Sequence, residues 1–107
     1  DINAIIAVTG SAPAYFFYFM QAMQQVALEL GFDEAQAKAM VAQTALGAAT
    51  MANQSELSFE ALRAQVTSKG GTTHEAIETF KQHKLESMVK DAMYAAIRRA
   101  EEMANTL

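Results

Sequence analysis

Between Asp1 and Glu29 no side chain carries a charge. A run of that length must hide its apolar surface, either in a lipid bilayer or in a packed protein interior. It is interrupted by Asn3, Gly10, Ser11 and Pro13, and its second half carries Gln21, Gln24 and Gln25. Amides are costly in hydrocarbon, so the expectation is a buried soluble helix, with no membrane as partner. Another chain enters the argument through size. The 107 residues make one domain at most and are 51% hydrophobic with a single proline. A domain so small buries only about 65% of the surface its unfolded chain exposes. The apolar surplus is expected to be covered by a partner chain.

The pattern reads as helix throughout. Residues Ile2 to Val8 fit either a short strand or a helical turn capped by Asp1. Pro13 suits a first helical turn, and an apolar helix runs from there to about Leu30, with Gly31 as its stop. Asp33 and Gln36 have capping-box spacing for a second helix reaching about Gln54. That helix is crowded with small residues (Ala35, Ala37, Ala39, Ala42, Ala45, Gly47, Ala48, Ala49, Ala52), which let neighbouring helices come close. Ser58 caps a short third helix ending near Val66, and a fourth runs from Thr73 to about His83. The last spans about Leu85 to Ala104, with Met88, Ala92, Met93, Ala96, Ile97, Ala100 and Met103 on one stripe. Its outer face offers Glu86 to Lys90 and Arg98 to Glu102 at the supportive four-residue spacing. No segment alternates long enough to propose a sheet. The fold class is all-α, a bundle of about five helices.

Several functions are disfavoured at once. A net charge of −4 and the lack of clustered Lys and Arg argue against nucleic acid; Arg98-Arg99 is followed at once by Glu101-Glu102. Zero cysteines exclude disulfides and thiolate metal sites and fit a cytoplasmic protein. His74-Glu75-x-x-Glu78 faintly resembles a helical zinc motif but lacks a second histidine, so no metal is expected. The methionines fall at helical spacing and read as core or interface filler. Tyr15-Phe16-Phe17-Tyr18-Phe19 wraps a full helical turn and reads as core plus dimer interface. The first residue is Asp1 rather than Met, which fits a piece of something longer, and no basic segment suggests a signal peptide.

The stretch Gln65 to Glu75 stands apart. It is a polar turn with Gly70 and Gly71 that runs into a helix start, with Thr72 and Glu75 spaced as a capping box. Glycines expose backbone N–H groups there, and a helix start presents free donors and the positive dipole end to a carboxylate or phosphate. On physical grounds alone it is either an anion seat or a plain connector between helices.

Three segments carry a resemblance to a known family. Thr9-Gly10-Ser11-Ala12-Pro13-Ala14-Tyr15 resembles the Ser-Gly-Ser-Gly-Pro-Ala-Tyr segment of pyrroline-5-carboxylate reductases. Gln43-Thr44-x-x-Gly47-Ala48-Ala49-x-Met51 is similar to that family's second-helix signature, and Gln65-Val66-Thr67-Ser68-Lys69-Gly70-Gly71-Thr72-Thr73 to its substrate loop. They occur in the family's order and spacing, and the similarity covers nearly the whole chain.

The resemblance implies that residues 1–107 form the C-terminal helical dimerisation and substrate-binding domain, interleaved with a partner in a homodimer that can build higher assemblies. The family's N-terminal nucleotide-binding domain is absent, since no dinucleotide fingerprint occurs here. The implied activity is hydride transfer from NADPH or NADH to the cyclic imine 1-pyrroline-5-carboxylate, giving proline, with the fragment alone inactive. By position, Ser68, Gly70, Gly71, Thr72 and Thr73 would hold the substrate carboxylate, with Thr73 also bonding the ring nitrogen as the catalytic contact. Glu56 matches a family carboxylate near the substrate, and Ser11 and Pro13 belong to the cofactor-binding segment. Lys69 stands in place of the usual proline, and Thr9 and Ala12 stand where serine and glycine are common. The alternative is a non-catalytic helical oligomerisation module, which has no need of an anion clamp at Ser68 to Thr73.

Overall fold

The computed structural model describes residues 1 to 106, and every regular element in that span is helical. A short segment, α1 (Ile2–Ile5) with a widened turn over Ile6–Gly10, leads into α2 (Ala12–Glu29), α3 (Glu34–Gln54), α4 (Phe59–Gln65), α5 (Thr72–Gln82) and α6 (Leu85–Thr106). The all-α expectation holds, with five helices after the N-terminal segment. The ambiguity over Ile2 to Val8 resolves to helix, started by Asp1, whose Oδ1 accepts from the Asn3 N–H at 2.9 Å.

Pro13 accounts for the widened turn. It has no N–H to give, and its ring would press on the Thr9 carbonyl if a regular helix ran through. The Ser11 N–H instead reaches back five residues to the Ile6 carbonyl at 2.7 Å, and α2 starts afresh at Ala12. The other ends follow local chemistry. Gly31, at φ 101°, closes α2: its N–H reaches the Leu28 carbonyl at 3.1 Å, and the Phe32 N–H reaches Ala27 at 3.2 Å. Asp33 and Gln36 exchange both bonds of the expected capping box, at 2.8 and 3.0 Å. Ser58 Oγ accepts from the Ala61 N–H at 3.1 Å and starts α4. On α6 the expected pairing of Arg98 with Glu102 gives way to Arg99–Glu102 at 3.2 Å, one residue nearer. Both spacings bring side chains together on a helix, and rotamer fit decides between them.

The chain divides into two compact units. The first comprises Asp1–Ala14 and Val66–Leu107. In it the N-terminal segment packs on α6, α5 packs on α6, and Ala7 and Ala12 are the buried residues. The expected α6 stripe is half-buried at Met93, Ala96, Ile97 and Ala100, whereas Met88 and Met103 are open to solvent. The second unit, Tyr15–Gln65, carries most of α2 together with α3 and α4. Ala37 and Val41 are buried there. An open apolar groove runs between Met23, Val26, Ala27 and Leu30 on α2 and Met40, Val41 and Thr44 on α3.

One expectation fails within a single chain. The apolar helix α2 is not buried: Phe16 and Phe17 are 68% exposed and Tyr18 is 76% exposed. Of the small residues of α3, Ala37 is buried but Ala35, Ala39, Ala42, Gly47, Ala48 and Ala49 are exposed, and a Cβ built on Gly47 meets nothing within 4 Å. A hairpin of helices covers one stripe of each and leaves the other faces bare. By length and hydropathy alone Ile2–Glu29 also meets the requirement for a membrane span; the turn at Ser11 and the three glutamines interrupt it.

Between α5 and α6 the backbone turns on Lys84, a non-glycine residue at φ 60°. Its carbonyl accepts the Met88 N–H at 3.0 Å and so opens α6. A Cβ in this left-handed conformation costs roughly 1–2 kcal/mol, against about 0.5–1 kcal/mol for the extra freedom of glycine in the unfolded chain. Lys84→Gly is therefore expected to stabilise the chain by about 0.5–1 kcal/mol, read as a higher urea midpoint at fixed protein concentration. A lower midpoint would show that the lysine side chain contributes more than the backbone strain it imposes.

Candidate functional site

The polar stretch after α4 folds into a β-turn. The Gly71 N–H donates to the Ser68 carbonyl at 3.0 Å, and Gly70 holds φ 74° at the third position, the glycine place of a type II turn. Lys69 occupies the second position, which proline favours by its fixed φ. Gly71 is extended at φ −88° and ψ −177° and is the N-cap of α5. A Cβ on Gly71 would lie 3.3 Å from the Ser68 carbonyl oxygen and 3.4 Å from Ser68 Cβ, so any other residue there would push the turn open by a few tenths of an ångström.

This corrects the expected capping box. Thr72 is the first helical residue rather than the cap, no side chain caps α5, and the first intrahelical bond runs from the Glu75 N–H to the Gly71 carbonyl at 3.1 Å. The tight closure on Ser68 leaves Gly71 extended, so the helix begins one residue before Thr73. The N–H groups of Thr72, Thr73 and His74 consequently have no partner inside the helix. The Thr72 and Thr73 hydroxyls stand beside them on exposed residues. Donors, hydroxyls and the positive end of the α5 dipole gather at one place, an arrangement that suits a carboxylate.

Ser68, Gly70, Gly71, Thr72 and Thr73 are thus brought together by one turn and the start of one helix. Ser11 and Pro13 belong to the same compact unit, at the junction of the widened turn and α2, with Ser11 half-buried and Pro13 exposed. Glu56 is carried by the other unit, exposed in the connector between α3 and α4. There Ser55 Oγ accepts from the Leu57 N–H at 3.1 Å and orders the chain on either side of Glu56. Of the faint zinc pattern, Glu78 pairs with Lys81 at 3.4 Å. Among the described residues no three His, Cys, Asp or Glu side chains gather as metal ligands. The widened turn before Pro13 was missed by periodicity, although a proline four residues after a threonine inside a helical run is a signal for it.

The family model for pyrroline-5-carboxylate reductase dimerisation matches residues 1–103. The chain belongs to that family. It is 55% identical over 103 residues to the pyrroline-5-carboxylate reductase of Vibrio alginolyticus, covering 95% of this chain and 38% of that protein. With the Pseudomonas aeruginosa pyrroline-5-carboxylate reductase it shares 46% identity over 107 residues, all of this chain and 39% of the relative. The solved pyrroline-5-carboxylate reductase of Coxiella burnetii superposes with a TM-score of 0.91 at 44% identity, over 94% of this chain and 37% of that one. A Plasmodium falciparum pyrroline carboxylate reductase solved with NADP bound shares the fold at a TM-score of 0.91 and 24% identity, over 96% and 41%. The chain therefore spans about two fifths of the length of the reductases it matches.

The turn makes a direct test of this geometry possible. A Cβ on Gly70 meets nothing within 4 Å, so Gly70→Ala adds backbone strain without a clash. At roughly 1–2 kcal/mol for a left-handed alanine, the turn should open about five to thirty times more often. Hydrogen exchange at the Gly71 and Glu75 amides should speed up accordingly, and unchanged exchange would disprove the turn as described.

Proposed function

We propose that the chain is the C-terminal domain of a pyrroline-5-carboxylate reductase, which transfers a hydride from NADPH or NADH to the C=N carbon of 1-pyrroline-5-carboxylate and yields proline. The observation that carries this reading is the family match over residues 1–103, supported by 55% identity to a reductase of that name. In this reading the rest of the enzyme contains the nucleotide-binding domain, the protein is cytoplasmic, and it works as a homodimer able to build larger assemblies.

The loop supplies the substrate side. Backbone N–H groups at the start of α5 and the hydroxyls of Ser68, Thr72 and Thr73 take the substrate carboxylate, while Gly70 and Gly71 let the backbone approach it. Thr73 also hydrogen-bonds the ring nitrogen and orients it as the C=N carbon is reduced and the nitrogen takes up a proton. Lys69 adds a cation at the same turn, where the next Lys or Arg on either side is Arg63 or Lys81. Glu56 lies near the substrate in the assembled enzyme. Ser11 and Pro13 face the nicotinamide; they are a small part of what a dinucleotide needs, and the chain has no glycine-rich dinucleotide turn of its own. When bound, the cofactor supplies the hydride. The residues of this chain contribute position, holding the imine within attack distance of the donor.

In the full-length enzyme Thr73→Ala is expected to lower kcat/KM by about ten- to a hundredfold, the effect of losing about one or two bonds to the reacting group, with the dimer intact by sedimentation. Wild-type kinetics would remove Thr73 from the site. Residues 1–107 alone are expected to show no reductase activity; turnover by that chain would overturn the division of labour between the domains.

A further inference from the structure

We propose that Lys69 is a specificity-determining residue of this chain: its ammonium draws in the substrate carboxylate, so that the site favours rings carrying an anion, in a way that salt can screen. The proposal rests on the reductase reading above and deepens it. The loop donors hold the carboxylate once it has arrived, whereas Lys69 biases which molecules arrive.

The turn itself has no use for a lysine. Lys69 holds the second position of the Ser68–Gly71 turn, directly before Gly70 at φ 74°. Proline suits that position because its ring fixes φ beforehand. Any other residue forgoes that help, which weakens such a turn by about two- to fivefold. Nothing in the turn offsets the loss. Lys69 is exposed, and it makes no ion pair among the described residues. Its charge is therefore free to act on something from outside.

Position supplies the rest. From Ala64 to His74 Lys69 is the only residue with a formal charge, in a chain whose net charge is −4. Two residues later Gly71 caps α5, whose first N–H groups have no partner inside the helix. Glu75 is the acidic residue of that first turn, and no side chain caps the helix. The turn brings the Cα atoms of Ser68 and Gly71 within about 7 Å, and the flexible four-carbon stem of lysine can span that gap. The ammonium and the open donors thus serve one anion. An exposed charge of this kind acts over about 8 Å at physiological salt and changes affinity by up to about fivefold.

The test compares the full-length enzyme with Lys69→Gln, Lys69→Arg and Lys69→Pro. At about 0.02 M salt, Lys69→Gln should raise KM for 1-pyrroline-5-carboxylate about two- to fivefold with kcat held. Lys69→Arg should keep the wild-type KM. Lys69→Pro should follow Lys69→Gln, although it stiffens the turn. At roughly 0.5 M salt the screening length shrinks to about 4 Å, and the differences should close. Lys69→Gln should not weaken competition by 1-pyrroline, the same ring without its carboxylate. Equal KM values for wild type and Lys69→Gln at low salt overturn the proposal. So does a wild-type KM for Lys69→Pro, because turn stiffness rather than charge would then set binding, and so does an equal loss on both rings. All three of those results leave the reductase reading standing. A wild-type enzyme that does not reduce 1-pyrroline-5-carboxylate sinks that reading and this proposal together.

Discussion

Apolar burial is the constraint on which everything else in this chain depends. Its helices are long and amply apolar, yet among the described residues the buried positions are held by three alanines and a valine. Such small side chains let helices touch but bring little surface out of water. The stabilising part of the hydrophobic effect scales with area removed, and most of the available area on α2 and α3 faces outward. The uncovered faces of α2 and α3 fit membership of a dimerisation family.

The candidate site is organised differently, by backbone rather than by core. Gly70 takes a conformation that other residues adopt only with strain, and Gly71 fits against the Ser68 carbonyl because it lacks a Cβ. Together they aim the chain into α5 so that its first N–H groups stay free. A side-chain cap at Thr72 would have satisfied one of those donors internally. The cap falls instead on Gly71, which has no side chain to offer, and the threonine hydroxyls stand next to the open donors. Because α5 packs on α6, the open N–H donors of the candidate site sit on a helix rather than on a free loop, which would suit a task of positioning.

A similar economy governs the N-terminal segment. Pro13 prevents a straight helix, and the chain answers with one wide turn that keeps the Ser11 N–H bonded to Ile6. Ala7, inside that turn, is completely enclosed, so the irregularity is packed rather than frayed. The segment that resembles the cofactor-side motif is thus held in place by a proline-driven break and by its packing on α6.

Local chemistry was legible from the sequence alone. Gly31, the Asp33–Gln36 box and Ser58 mark helix ends through hydrogen bonds spanning a few residues, and all three do what their types dictate. The Ser68 to Thr73 turn was legible for the same reason: glycines and hydroxyls act within a turn's reach. Tertiary structure decided what depends on space. The start of α5 fell at Thr72 with Gly71 as its cap because the turn closes on Ser68, Arg99 rather than Arg98 found Glu102, and α2 proved exposed where its composition promised burial. Composition says how much apolar surface a chain carries; which surface meets a neighbour is set by how helices stack.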